Sequence, residues 1–267
     1  MGERWLAHLA AFEGMIAPVG AALMSAAGFA PGERVLDVGC GAGGTSIEIA
    51  RRVGNAGEVL GLDISPVLIE AASRRAREAN VGNLRLQCAD AATVAMDGPH
   101  FDRLFSRFGL LFFAQPVAAF TNLHGLLRRG GRADFSVWAP AMENAWVAQL
   151  VGVLAQHVEM PAPVPHAPGP FAFDDPAYLR QVLEQAGFES PRIETWRGGQ
   201  FVGGPGASPE GAATFALEAL HFGELLEKSN PAARGTVHAQ LVELFARHRS
   251  AAGVVMDATA FLVTARA

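Results

Sequence analysis

The sequence predicts a single α/β domain in which a largely parallel sheet is covered by helices on both faces. In the first half of the chain, short apolar runs alternate with segments of helical periodicity, which is typical of β-α-β units. A glycine-rich turn separates the first such run from the helix that follows it. The chain has 267 residues, 50% of them hydrophobic, and this is enough to bury one sizeable core.

The first strand is predicted over 34–39, and the next helix over 44–54. Ser65 and Pro66 provide an N-cap and a proline at the first helical position for a second helix, which ends near Asn80. Four further strands are predicted in this half of the chain, at 58–63, 84–88, 101–106 and, after a Gly130-Gly131 turn, 133–138.

The second half contains a segment, 160–173, with five prolines and no charged residue. Proline removes a backbone donor, so we expect neither a helix nor a central strand there, and interpret the segment as a lid over a pocket. Helices are predicted at 176–187, 209–227 and 231–249, and strands at 192–202 and 256–265. We expect one domain, 1–267, with an N-terminal helical segment, 1–30, and cap insertions on the substrate side, 143–175 and 203–250.

Composition argues against several classes of protein. A net charge of −5 and a pI near 5.9 provide no basic surface for nucleic acid or an anionic membrane. Two cysteines far apart exclude a disulfide scaffold and a cysteine-based zinc site, and we expect no bound metal. The uncharged stretches 14–32 and 108–127 are not apolar enough to predict stable membrane insertion. Glu3 and Glu13 flank a single Arg4, unlike a signal peptide, so we expect a cytoplasmic protein.

The strongest motif is the glycine-rich turn over 35–44, VLDVGCGAGG. Glycines between a strand and a helix let the backbone approach a ligand closely at the helix N-terminus. Gly39, Gly41 and Gly44 also satisfy the dinucleotide-binding fingerprint, so the glycines alone are ambiguous. Asp37 distinguishes the two, because a carboxylate repels a pyrophosphate and suits a cofactor that carries an ammonium and a sulfonium.

With Asp37, this turn closely resembles motif I of the class I S-adenosyl-L-methionine (SAM)-dependent methyltransferases, E/D-x-G-x-G-x-G. The resemblance implies their Rossmann-like fold, with sheet order 3-2-1-4-5-7-6 and strand 7 antiparallel. It also implies that Asp63 binds the ribose hydroxyls, that Ile64 lies against the adenine, and that Asp90 meets the adenine amino group. The cofactor site would be formed by Asp37, Gly39, Cys40, Gly41, Gly43, Asp63, Ile64, Asp90, Ala91, Ser106 and Arg107.

A narrower resemblance extends over nearly the whole chain. The run over 106–114, SRFGLLFFA, followed by Trp138, is similar to a bacterial subgroup of the ubiquinone/menaquinone-type methyltransferases. The Asn/Asp-Pro-Pro-aromatic motif of many enzymes that methylate amino groups on nucleic acids or proteins is absent after the fourth strand, where 106–109 reads SRFG. The acceptor is therefore expected to be a small molecule rather than nucleic acid.

Each candidate on the acceptor side also has a structural explanation. His166 and His221 are candidate general bases, and Arg107 could bind an acidic substrate or the cofactor carboxylate. The alternative for each histidine is an exposed or hydrogen-bonded side chain without a catalytic role, and the alternative for Arg107 is a structural ion pair. Side chains that could contact the acceptor, or belong to the core or the lid, are Phe108, Trp138, His166 and Phe171.

We therefore expect transfer of the SAM methyl group to a small, apolar or aromatic molecule, with S-adenosylhomocysteine (SAH) as the product of the cofactor. Two alternatives remain: a nicotinamide-dependent oxidoreductase with a Rossmann fold, which the glycine spacing also allows, and a non-catalytic SAM-binding protein. The protein is expected to be a monomer or a homodimer.

Overall fold

The main sheet has strand order β3-β2-β1-β4-β5-β8-β6 in a computed structural model that describes residues 2–96, 101–220 and 222–267. Strands β1 to β5 are parallel, and β8 lies antiparallel between β5 and β6. The predicted order 3-2-1-4-5-7-6 is confirmed, since β8 is the seventh long strand. The strands are β1 (Arg34–Val38), β2 (Glu58–Asp63), β3 (Leu84–Cys88), β4 (Phe101–Arg107), β5 (Leu127–Trp138), β6 (Glu189–Phe201), β7 (Arg249–Ser250) and β8 (Gly253–Arg266).

Ten α-helices surround the sheet in the described residues. Helices α2 and α3 cover one face, which we call the α2 face, where Leu23 and Ile49 pack with Val35 and Phe105. Helices α5 and α7 cover the opposite face. The helices are α1 (Gly2–Ala7), α2 (Leu9–Ala27), α3 (Gly44–Val53), α4 (Pro66–Glu78), α5 (Pro116–Leu126), α6 (Ala145–Leu154), α7 (Pro176–Gln185), α8 (Pro209–Glu218), α9 (Phe222–Ser229) and α10 (Arg234–Ala246).

The opposite face is held by aromatic packing. Phe120 of α5 lies 5.7 Å from Phe135 of β5, between ring centroids. Phe173, at the end of the lid segment (160–173), and Phe188, after α7, pack edge-on against the same Phe120 ring. Large aromatic side chains bury much apolar area in such contacts. The chain around the lid segment is therefore fixed at its C-terminal end, while 161–168 is exposed.

Helix α2 is the one described helix that is long and apolar enough to cross a membrane, with a mean hydropathy of 1.5 over its best 18-residue window. The uncharged stretch 14–32, which we expect not to insert stably into a membrane, overlaps this helix over 14–27. In the structure, the apolar side of α2 packs on the sheet, where Val19 and Leu23 are fully buried.

Several predicted boundaries change. The fifth strand begins at Leu127, and the Gly130-Gly131 pair predicted as a turn lies within it, where the Gly130 N–H donates to the Ala267 carbonyl at 2.7 Å. Helix 209–227 is divided into α8 and α9, and 231–249 begins with a 3-10 turn before α10. Cys88 is exposed, because it lies at the carboxyl edge of the outermost strand β3.

Candidate functional site

The turn after β1 adopts a backbone conformation that requires glycine. Gly39, Gly41 and Gly43 all have positive φ angles, of 69°, 56° and 81°. A Cβ atom on Gly39 would lie 2.6 Å from the Cα atom of Gly109, which follows β4. The carboxyl ends of β1 and β4 are therefore in backbone contact, and this is the topological switch point where open α/β sheets bind ligands.

Hydrogen bonds connect the ends of the four neighbouring strands. The Asp63 carboxylate accepts from the Gly41 N–H and from the Ser65 N–H, both at 2.9 Å. The Ala89 N–H donates to the Asp63 carbonyl at 3.0 Å, and the Ser106 hydroxyl donates to the Val38 carbonyl at 2.7 Å. The ends of β1 to β4 thus form one continuous edge that carries the predicted cofactor residues.

Asp37 is completely buried beneath this turn. Its Oδ2 atom accepts hydrogen bonds from the Thr45 and Ser46 hydroxyls, at 2.7 and 2.6 Å, whereas Oδ1 has no partner among the described residues. Burial raises the pKa of Asp37, and the two hydroxyls and the Arg107 guanidinium oppose that shift. An unpaired buried carboxylate oxygen fits a site that receives a cationic group. The supporting roles of Thr45 and Ser46 were not predicted, although hydroxyls in the first turn of a helix were a visible signal.

Arg107 lies at the end of β4, against α2. A Cβ atom on Gly20 would approach its Cδ atom to 2.8 Å, so the arginine passes where the helix has no side chain. Burial lowers the pKa of Arg107, and the charges of Glu13 and Asp37 oppose this shift. Its guanidinium makes no hydrogen bond to another described residue, so the predicted structural ion pair lacks direct contact. Because Asp37 pairs with Phe105, Arg107 lies on the same face of the neighbouring strand, and such an arginine and carboxylate complement a ligand with both an ammonium and a carboxylate.

The remaining predicted cofactor residues have distinct surroundings. Ile64 is 71% exposed beside the edge, a position open to a flat ligand. Asp90 is exposed, and its carboxylate accepts from the Ala92 N–H at 2.9 Å, as in a cap. Ala91 is buried. Cys40 is buried as well, and its burial raises the pKa of its thiol well above the ordinary range, so the thiol stays protonated.

The N-terminal helices cover the glycine turn, a contact that the sequence did not predict. Arg75 of α4 binds both oxygens of the Glu13 carboxylate, at 2.7 and 3.0 Å, and donates to the Ala42 carbonyl within the turn. The Trp5 indole nitrogen lies 3.9 Å from the position of a Cβ atom on Gly41. The segment was expected to be helical, but no local signal shows where a helix docks.

The acceptor-side candidates fall into two groups. Phe108 and Trp138 are both buried and stack on each other, with ring centroids 4.2 Å apart. His166 is exposed in the lid segment and stacks on Tyr178 of α7 at 3.6 Å, and Phe171 is partly buried against the core. His221 lies outside the described residues. Across 2–96, 101–220 and 222–267, no group of three His, Cys, Asp or Glu side chains has the arrangement of a metal site.

A comparison with protein-family models matches residues 35–131 to the family described as "Methyltransferase domain". The matched region begins at β1 and ends within β5, so it contains the whole edge described above.

Curated relatives include the aklanonic acid methyltransferase of Streptomyces sp. (strain C5), which is 35% identical over 119 residues, covering 45% of this chain and 54% of that enzyme. The nocamycin O-methyltransferase of Saccharothrix syringae is 28% identical over 184 residues, covering 66% of each chain. The chain thus matches little more than half the length of the first of these relatives.

Among solved structures, a methyltransferase described as putative from Bacillus halodurans superposes with a TM-score of 0.58 at 17% identity, over 92% of this chain and 97% of that one. At this identity the likeness shows the fold. The antiparallel β8 between β5 and β6 also differs from the all-parallel 3-2-1-4-5-6 order of dinucleotide-binding domains, so it gives the nicotinamide alternative no support. Residues 35–131 thus match the methyltransferase family, and the sheet has the strand order of the class I SAM-dependent methyltransferase fold.

Proposed function

We propose that this protein transfers the methyl group of SAM to a small, largely apolar or aromatic molecule. The single observation that carries the proposal is the unpaired Oδ1 atom of the buried Asp37, beneath a turn whose glycines leave room for a ligand. The resemblance of 106–114 to the ubiquinone/menaquinone-type subgroup is part of the proposal.

The residues of the edge fit SAM. Asp37 would hold the ammonium and Arg107 the carboxylate of its amino-acid part, because Oδ1 of the buried Asp37 is unpaired and the Arg107 guanidinium makes no hydrogen bond within the described residues. Asp63, already fixed by Gly41, has lone pairs left for the ribose hydroxyls, and the exposed Ile64 would cover the adenine. When bound, SAM supplies a strongly electrophilic sulfonium methyl group. The protein's own part is then to bind, to orient and to exclude water.

The acceptor proposal rests on the side chains near the carboxyl edge beyond β4 and β5. Phe108, Trp138 and Phe171 are apolar, and the lid segment of 160–173 carries no charge. A pocket closed by these groups suits an aromatic or polycyclic acceptor. The names of the two curated relatives, for aklanonic acid and nocamycin, are in line with a small-molecule acceptor.

Calorimetry with SAM, SAH and NADH tests the cofactor. We expect heat for SAM and SAH at concentrations far below about 1 mM, and none for NADH. Transfer of a radiolabelled methyl group from SAM to a panel of aromatic acids, phenols and amides, with aklanonic acid included, tests the acceptor. Binding of NADH instead of SAH would refute the proposal, and SAH binding without transfer to any acceptor would favour the non-catalytic alternative.

A further inference from the structure

Gln200 of β6 is completely buried, yet neither its amide nitrogen nor its amide oxygen has a hydrogen-bond partner among the described residues. A neutral amide loses its hydrogen bonds to water when it is buried, and buried side-chain polar atoms in proteins are nearly always paired. This side chain therefore has one donor and one acceptor group in need of a partner.

The pairing register places Gln200 beyond the carboxyl edge of the sheet. It lies opposite Met256 of β8, whereas Trp138, the last residue of β5, lies opposite Ala260. Ala260 also pairs with Trp196, so Gln200 lies four residues past the end of β5, or roughly 13 Å along the strand. Because alternate residues of a strand share a face, Gln200 is on the α2 face together with Trp138 and Trp196.

The surroundings of Gln200 are apolar. Met256, opposite it, and Val202, two residues further on the same face, are both buried. Just past β6, the N-terminal half of α2 lies against the chain: a Cβ atom on Gly204 would be 3.0 Å from the Ala11 Cα atom. The neighbours along the strand offer the amide no polar side chain, and the Glu13 carboxylate in this part of the helix binds Arg75 instead.

We propose that Gln200 binds the methyl acceptor, and that its amide recognises a neutral group that both accepts and donates a hydrogen bond, such as a primary amide or a hydroxyl beside a carbonyl. The inference rests on the proposed function. A neutral glutamine has no charge to offset a carboxylate, and a site built around a buried polar group rejects ligands that leave the group unpaired. Gln200 lies beyond the carboxyl edge of the sheet, on the side from which an acceptor would reach the end of β4.

The first test is stability without ligand. Gln200→Met keeps the length of the side chain and removes both polar atoms, so we expect a higher melting temperature. The matched control is Gln149→Met, because the Gln149 oxygen is paired with the His248 ring at 2.9 Å, and this variant should melt at a lower temperature. A lower melting temperature for Gln200→Met would mean that the amide already has a partner, and would overturn the inference.

The second test uses two probes of nearly equal shape, 2-naphthamide and 2-acetylnaphthalene, titrated into SAH-saturated protein. The amide accepts and donates, whereas the ketone only accepts. We expect the protein to prefer 2-naphthamide by about tenfold, and Gln200→Met to lose this preference while its SAH affinity stays unchanged. An equal preference in both proteins, or none in the unmodified protein, overturns the inference. Absence of SAH binding is a different result, because it refutes the proposed function.

Discussion

Replacing Gly39 by alanine tests whether the backbone contact between β1 and β4 forms the site. Two costs arise from the structure. The φ angle of 69° is unfavourable for an L-residue, by roughly 1–2 kcal/mol. The added Cβ atom would lie 2.6 Å from the Gly109 Cα atom, about 1 Å closer than carbon atoms pack, and such overpacking costs about 1–3 kcal/mol.

Together these costs amount to about 2–5 kcal/mol, a large part of the roughly 5–15 kcal/mol that stabilises a typical domain. At about 2–4 °C for each kcal/mol in a chain of this size, the melting temperature of Gly39→Ala should fall by at least about 4 °C. Since relief of the contact moves the turn that we propose binds the cofactor, we expect SAH affinity to fall more than tenfold.

Thermal melting and SAH calorimetry measure both effects. Gly32→Ala is the matched control, because Gly32 also has a positive φ, of 86°, but no atom within 4 Å of the added Cβ and no part in the turn. It should show the smaller loss of stability and unchanged affinity. If Gly39→Ala has the same melting temperature as Gly32→Ala and binds SAH as tightly as the unmodified protein does, the contact does not form the site.

Four further outcomes are expected. The pKa of Asp37 is raised in the folded protein, so the stability contributed by its protonated form is lost as pH rises through that pKa. In melting scans from about pH 4 to about pH 8, the melting temperature of Asp37→Asn should therefore rise relative to that of the unmodified protein. The SAM affinity of this variant should be lower than that of the unmodified protein and should no longer fall at acidic pH. Asp63→Ala should weaken SAH binding more than Asp90→Ala, as measured by calorimetry, because Asp63 also fixes the Gly41 N–H and would make two ribose bonds; equal losses would contradict this. Deletion within 160–173 should abolish methyl transfer to the panel and leave SAM affinity within a few-fold of that of the unmodified protein. Hydrogen exchange in this segment should slow when SAH and acceptor bind together. A loss of SAM binding in the folded variant would place the segment at the cofactor instead. Glu13→Gln should release the N-terminal helices from Arg75 and increase the rate of SAH dissociation in stopped flow, whereas Glu70→Gln, which removes an exposed ion pair of the same helix α4, should leave the rate unchanged.

The parts of the structure that the sequence predicted best depend on short segments of chain. The first strand, the glycine turn and α3 lie within 34–53, and the order of their apolar, glycine and hydroxyl residues is enough to specify them. The sheet order was predicted through family resemblance, because no local pattern shows which strands become neighbours.

The features that were missed depend on partners far away in the chain. Gly130 and Gly131 read as a turn, but the C-terminal end of the chain pairs with them and extends β5. The contact of Glu13 with Arg75 is likewise a product of tertiary packing, and so is the lack of a partner for Gln200 within the part of the chain that the structure describes. A buried glutamine in a strand has the same sequence pattern whether it is paired or not.

The distribution of unpaired polar atoms connects these observations. The described side chains with a buried, unpaired nitrogen or oxygen are Asp37, Arg103, Ser136 and Gln200. The pairing register places all four on the α2 face, although they come from β1, β4, β5 and β6. Arg103 differs from the other three, because its terminal nitrogens bind Asp134 and Glu33, towards the amino ends of the strands.

The other three lie nearer the carboxyl ends, where a ligand can reach the sheet. The opposite face, in contrast, is filled by the rings around Phe120, which need no polar partner. In the part of the chain that the structure describes, the buried unpaired polar atoms are therefore confined to the α2 face. Phe120→Leu should accordingly lower stability with little change in SAH affinity, whereas Asp37→Asn should lower SAH affinity and Gln200→Met should lower acceptor affinity, each at little or no cost to stability.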